Sequence, residues 1–104
     1  MSVLLEFAMF PTDKGESVGG YVSQVIRMIR DSGSDYQLTP MGTIIETDTL
    51  PEALALVEAA YRILEQAGCA RVYSSLKLDI RQGSGNRMQG KVDSVREKIG
   101  EVRS

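Results

Sequence analysis

Lys77-x-Asp79-x-Arg81 places a charge at every second position, so an extended strand would carry all three on one face. With Glu6 opposing Lys77 from a neighbouring strand, such a row makes a cross-strand ion-pair ladder. Without that pairing it walls a polar pocket. Met41-Gly42-Thr43-x-x-Glu46 supplies a hydroxyl and a carboxylate of opposite strand parity. The two share a site only where it wraps a strand end or the local geometry is irregular. Gly15-Glu16-Ser17-Val18-Gly19-Gly20 leads into a helical pattern whose free N–H groups could hold an anion. It lacks the Gly-Lys-Ser/Thr ending of a phosphate loop, and Glu16 would repel phosphate. The structural expectations here are Ser17 as an N-cap, Gly19 and Gly20 as sites of close helix–sheet packing, and Met41 as core filler. Cys69 has no histidine to activate it and reads as structural.

The chain contains no histidine at all. That removes the usual general base, the commonest transition-metal ligand and the usual partner of a Ser or Cys nucleophile. Carboxylates or lysine could still act as acid and base, but the balance moves from catalysis toward binding, with neither metal nor cofactor expected. Twelve basic against 14 acidic residues give a net charge of −2, which argues against general nucleic-acid binding. No apolar run approaches the ~18 residues of a membrane span. The N-terminus meets Glu6 without a basic segment, which argues against a signal peptide. One cysteine permits no internal disulfide and fits a reducing cytoplasm. A length of 104 residues with 42 % hydrophobic content suits one soluble domain with its own core.

The elements that would position these residues follow from periodicity. Val3 to Phe10 is apolar except for Glu6, and Pro11 closes it, so it reads as a mostly buried strand with Leu4, Glu6, Ala8 and Phe10 on one face. From Ser17, the residues Val18, Tyr21, Val22, Val25, Ile26 and Ile29 recur at helical spacing, and Gly33 suits the C′ position. Tyr36–Thr39 and Gly42–Thr47 read as a hairpin. Thr49-Leu50-Pro51-Glu52 is a capping box for a helix with the face Ala53, Leu54, Val57, Ala60, Tyr61 and Leu64, ended by Gly68. Arg71–Arg81 alternates as a strand, with Val72, Ser74, Leu76, Leu78 and Ile80 facing one way. After a loop at 82–87, Met88, Val92, Val95, Ile99 and Val102 form a heptad-like stripe.

The order β-α-β-β-α-β is that of an α+β, ferredoxin-like sandwich: one four-stranded antiparallel sheet in the order 4-1-3-2, both main helices on one face, plus a C-terminal helix. The other face would carry Leu4, Glu6, Ala8 and Phe10 beside Tyr73, Ser75, Lys77, Asp79 and Arg81. Its centre is apolar and its rim charged, which suits packing against a second copy with polar pockets between the subunits. The last helix would dock at the sheet edge, on a neighbouring chain, or over its own open face.

Three segments taken together resemble the small thiamine-binding protein family: Ser17-x-x-x-Tyr21-Val22, Met41-Gly42-Thr43-x-x-Glu46, and Arg71-Val72-Tyr73-x-x-Leu76-Lys77-Leu78-Asp79-x-Arg81. The similarity runs from Val3 to Ile99 in the same element order. It implies a ferredoxin-like subunit that forms homo-dimers or homo-tetramers and binds thiamine or its hydroxymethylpyrimidine half without catalysis. One departure is the loop Pro11-Thr12-Asp13-Lys14-Gly15, where many relatives have Gly within two residues of the proline. A pocket for such a ligand needs ring-sized apolar walls, a few hydrogen-bonding groups and negative charge near the thiazolium. Under the resemblance, Phe10, Tyr21 and Tyr36 would supply walls, and Ser17, Thr43 and Ser75 would meet the pyrimidine. Glu46 or Asp79 would face the cation, with Lys77 and Arg81 orienting those carboxylates. Two other classes stay open: a regulatory protein-interaction module with no thiamine role, and a small enzyme using Glu46, Asp79 and Lys77.

Overall fold

The computed structural model describes residues 1–83 and 85–104. Its elements run β1 (Ser2–Pro11), α1 (Gly19–Asp31), β2 (Asp35–Thr39), β3 (Gly42–Thr47), α2 (Leu50–Gln66), β4 (Val72–Arg81) and α3 (Arg87–Ile99). The four strands form one antiparallel sheet, β2-β3-β1-β4, the order expected for the ferredoxin-like sandwich. Of the expected loop at 82–87, Ser84 lies outside the described residues, and Arg87 already belongs to α3.

Alternation along β1 divides its side chains cleanly. Val3, Leu5, Phe7 and Met9 are buried against the helices, while Glu6 and Phe10 are exposed on the opposite face. Val25 and Ile29 of α1, and Ala53, Ala60 and Leu64 of α2, close the core over that face together with Ile45 and Cys69. Cys69 therefore has the structural place expected of it. Burying about ten such side chains, at roughly 1.5–3 kcal/mol for each large one, is the main term opposing chain entropy. The α2 face is rotated from expectation. Leu54 and Tyr61 are 45 % and 44 % exposed, and Leu56 and Ile63 pack on the core in their place.

The helix ends explain where each element stops. Thr49 Oγ1 accepts the Glu52 N–H at 3.3 Å, and Glu52 Oε2 reaches back to the Asp48 N–H at 3.3 Å, one residue outside the usual box. Gly33 and Gly68, at φ +84° each, end α1 and α2 in the left-handed region. Three local expectations fail. The α1 N-cap is Val18 without a side-chain cap, so Ser17 sits outside the helix. A Cβ at Gly19 or Gly20 would meet open space, so neither glycine serves close packing. Met41 is 91 % exposed at the hairpin tip, where no core is within reach.

α3 does not form a separate layer. Its first turn is pinned to the end of β1 on the sheet's open face, Met88 and Val92 are half-buried, and Val95 and Ile99 stand 43 % and 72 % exposed. Of the three expected dockings, the one over its own open face is realised by the first half of the helix alone.

Candidate ligand-binding site

β1 is longer than its neighbour on one side. It pairs with β4 through Pro11 but with β3 only through Phe7, which faces Thr43. Past that point, among the described residues, no strand lies against the β3-side edge of Ala8–Phe10, and alternation along the strand turns the Met9 main-chain groups toward it. The β2–β3 hairpin and α1 wall this notch into a pocket of about 320 Å³. Phe10, Val22, Ile26, Leu38 and Met41 give it apolar sides, and Thr43 adds a hydroxyl. Among the described residues the Thr43 hydroxyl makes no side-chain hydrogen bond, whereas Thr39 Oγ1 is occupied by the Met41 N–H and the Gly42 carbonyl. Gly42 is fixed by the same geometry: at φ +152°, a Cβ there would lie 3.1 Å from the Phe7 carbonyl oxygen.

The far end of the sheet holds a second, polar constellation. Arg87 is 6 % exposed, and its guanidinium donates to Ser2 Oγ (2.9 Å), the Ser2 carbonyl (3.0 Å), the Asp79 carbonyl (2.6 Å) and Asp79 Oδ2 (2.9 Å). Glu46, 8 % exposed, accepts the first two α3 N–H groups, Arg87 at 2.9 Å and Met88 at 3.0 Å, and the Ser2 hydroxyl at 3.1 Å. A carboxylate on a helix N-terminus satisfies orphan donors and the helix dipole at once. Burial pushes the Glu46 carboxyl up. The Met88 and Arg87 N–H groups, Ser2 and the Arg87 charge outweigh it, and the group ends below its ordinary range. Asp79 is also lowered, first by its hydrogen bond from Lys91 and against some desolvation, then by Arg87. Beside this cluster opens a cleft of about 540 Å³ lined by Asp35, Glu46, Asp48 and Glu52.

These depressed carboxyls give stability a pH dependence of known sign. The unfolded chain binds these protons more readily than the native one, so the contribution is complete above the unfolded pKa and lost as pH falls through the native values. The thermal midpoint is expected to hold steady above the ordinary Glu value of 4.5 and to fall below it. Melts across this range on wild type and Glu46→Gln check it, and equal acid slopes would remove Glu46 as the cause.

The nine residues expected to share a ligand therefore separate. Phe10 and Thr43 line the notch, and Tyr21 lies on the α1 turn before Val22, packed against the core. Ser17 is exposed in the loop ahead of α1, and Ser75 faces Ala8 across the β1–β4 ladder. Tyr36 packs on the core from β2 and borders a small depression beside α3. Lys77 Nζ lies 3.6 Å from Glu6 Oε1, the ladder pair expected from the spacing. Asp79 pairs with Arg87 and Lys91, and Glu46 accepts the Arg87 main-chain N–H, so Arg87 rather than Lys77 and Arg81 joins the two carboxylates. Periodicity had placed Arg87 in a loop.

A family model described as thiamine-binding protein matches residues 5–96. The chain belongs to the thiamine-binding protein family. A UPF0045 protein of Mycobacterium bovis is 41 % identical over 95 residues, covering 91 % of this chain and 92 % of that one. Among solved structures, a domain of unknown function from Bacillus cereus superposes with a TM-score of 0.80 at 28 % identity, covering 94 % and 93 % of the two chains. A Thermotoga maritima protein described as a candidate thiamine biosynthesis or salvage protein superposes at 0.78 with 23 % identity, covering 92 % and 100 %, which bears on the fold alone. The notch, Glu46, Asp79, Arg87 and the first two turns of α3 lie within the segment that matches the thiamine-binding family, while Ser2 lies just before it. Among the described residues no group of three or more His, Cys, Asp or Glu could hold a metal ion, and no helix is long and apolar enough to cross a membrane.

Proposed function

We propose that the protein binds thiamine or its hydroxymethylpyrimidine half in the notch beside β1, without transforming it, as a cytoplasmic homo-oligomer. The observation that carries this reading is one pocket that joins the Ala8–Phe10 edge, past the end of its pairing with β3, to Thr43 between apolar walls. An aminopyrimidine is a flat ring with alternating donors and acceptors on its rim, and this is the shape a strand edge between apolar surfaces accepts. Phe10 and Met41, both exposed beside the opening, would cover the ring. Ser75, on the Ala8 row, and Tyr21, at the start of α1, flank the same end of the sheet. Glu46 and Asp79 lie three and four residues further along their strands, roughly 10–13 Å away. In this reading they hold α3 rather than the ligand. Self-association is supported by the open face, where Phe10 and Tyr73 form an exposed aromatic pair with centroids 5.6 Å apart.

Calorimetric titration with thiamine, thiamine phosphates and hydroxymethylpyrimidine tests the proposal. Thiamine and the neutral pyrimidine are expected to bind within about tenfold of each other, and Thr43→Val to weaken both about 5–10-fold, the worth of one hydrogen bond. Absence of heat with every one of these ligands at millimolar concentration would end the ligand assignment. A Thr43→Val protein that binds like wild type would move the ring out of the notch.

A further inference from the structure

The end of β4 and one face of α3 enclose a groove of about 250 Å³ on the open face of the sheet. Arg81 lines it from the strand, Gly85 from the loop, and Arg87, Gly90, Lys91 and Ser94 from α3, at the spacing of one helical face. Three of these residues are basic and none is acidic, in a chain whose net charge is −2. The acidic cleft meets this groove only at Asn86, so opposite charges flank the start of α3.

The nearby carboxylates do not neutralise it. Asp79 Oδ2 takes both Arg87 Nη1 at 2.9 Å and Lys91 Nζ at 3.3 Å, one negative charge against two positive ones. Glu46 opens on the acidic cleft instead. Among the described residues, no carboxylate lies within ion-pair distance of Arg81. Arg87 is committed to Ser2 and Asp79, so it adds charge to the groove, while Arg81 and the exposed Lys91 supply donors. Gly90 is a second, independent sign. Glycine inside a helix weakens it relative to alanine, and packing does not require it here, since a Cβ at Gly90 would meet nothing within 4 Å. What the missing side chain leaves open is the floor of the groove. A guanidinium fork, an ammonium and a hydroxyl around a bare helical turn suit a compact, multiply charged oxyanion. We propose that this groove binds a phosphate group, free or as a small monoester, against Arg81, Lys91 and Ser94 over Gly90. The notch begins at Phe7, five residues along β1 from the Ser2 partner of Arg81 and roughly 17 Å away. The phosphate site therefore does not rest on the thiamine reading.

Amide spectra of isotope-labelled protein, titrated at constant ionic strength with inorganic phosphate and separately with glycerol phosphate, test the site. Saturable shifts at Gly85, Gly90, Lys91 and Ser94 are expected at millimolar concentration or below. Tighter binding of glycerol phosphate would assign the groove to an ester, and equal or weaker binding to free phosphate. Arg81→Gln and Lys91→Gln are each expected to weaken binding about tenfold, the worth of one charge-assisted hydrogen bond. Gly90→Ala is expected to weaken it as well while raising the thermal midpoint, because the methyl strengthens the helix but fills the floor. A Gly90→Ala protein that melts higher and binds phosphate like wild type would overturn the role of the bare turn. Shifts that chloride reproduces at the same ionic strength, or that Arg81→Gln and Lys91→Gln leave intact, would overturn the site. So would the absence of saturation with both phosphates at millimolar concentration. An excess of hydroxymethylpyrimidine is expected to leave phosphate binding unchanged, and displacement would put the anion in the notch instead.

Discussion

Replacing Arg87 with methionine is expected to free the N-terminal half of α3 and to lower stability by roughly 2–4 kcal/mol, the range for breaking a buried, hydrogen-bonded charge. The guanidinium is nearly inaccessible, and methionine would replace the apolar stem without donating anything. Four acceptors would lose it: Ser2 Oγ, the Ser2 and Asp79 carbonyls, and Asp79 Oδ2. The Glu46 carboxylate would also lose its nearest buried cation. For a domain of this size such a loss corresponds to a drop in thermal midpoint of roughly 10–20 °C. Arg87→Lys should recover only part of it, because an ammonium cannot span the Ser2 and Asp79 carbonyls with a planar fork. Melting curves measure the loss, and amide exchange in α3 locates it. A methionine variant melting with wild type, with α3 equally protected, would show that the cluster does not hold the helix.

Arg87 also marks the boundary of what a sequence reading reaches. The sandwich was legible because its determinants are local and periodic. Val3, Leu5, Phe7 and Met9 alternate, Thr49 and Glu52 sit at capping distance, and Gly33 and Gly68 stand where helices must end. The Glu6–Lys77 pair was legible for the same reason, since strand parity alone brings it together. Arg87 has no such signal. Its partners lie 85 residues away at Ser2 and eight away at Asp79, across a loop, and only the packed sheet makes one site of them. Ser17 and Met41 fail in the opposite way. Each matched a local preference, but α1 begins two residues after Ser17, and the hairpin tip leaves nothing for Met41 to pack on. The notch was half visible. Phe10 and Thr43 were singled out by type, yet the opening arises from unequal strand lengths, a property of pairing rather than of either residue.

Glu46→Ala should cost stability on a scale similar to Arg87→Met, about 2–4 kcal/mol, for the complementary reason. Alanine leaves the Arg87 and Met88 N–H groups and the Ser2 hydroxyl without their acceptor at a position only 8 % exposed. Glutamine should fall between alanine and wild type. Its amide oxygen can accept from one α3 N–H, but its NH₂ then faces the other donor, and the anion that suits a helix N-terminus is gone. The order wild type, Glu46→Gln, Glu46→Ala in denaturant midpoint is the expected result. Because Glu46 and Arg87 act on one helix end, the double variant with Arg87→Met should lose clearly less than the two single losses together. Strict additivity would mean two independent anchors. The same variants separate anchor from ligand site. Where they remain folded, hydroxymethylpyrimidine and thiamine should bind each variant within about threefold of wild type, since a full hydrogen-bond loss would reach 5–10-fold. A loss confined to thiamine would instead put the Glu46 carboxylate beside the thiazolium, with the ligand in the acidic cleft at the other end of the sheet.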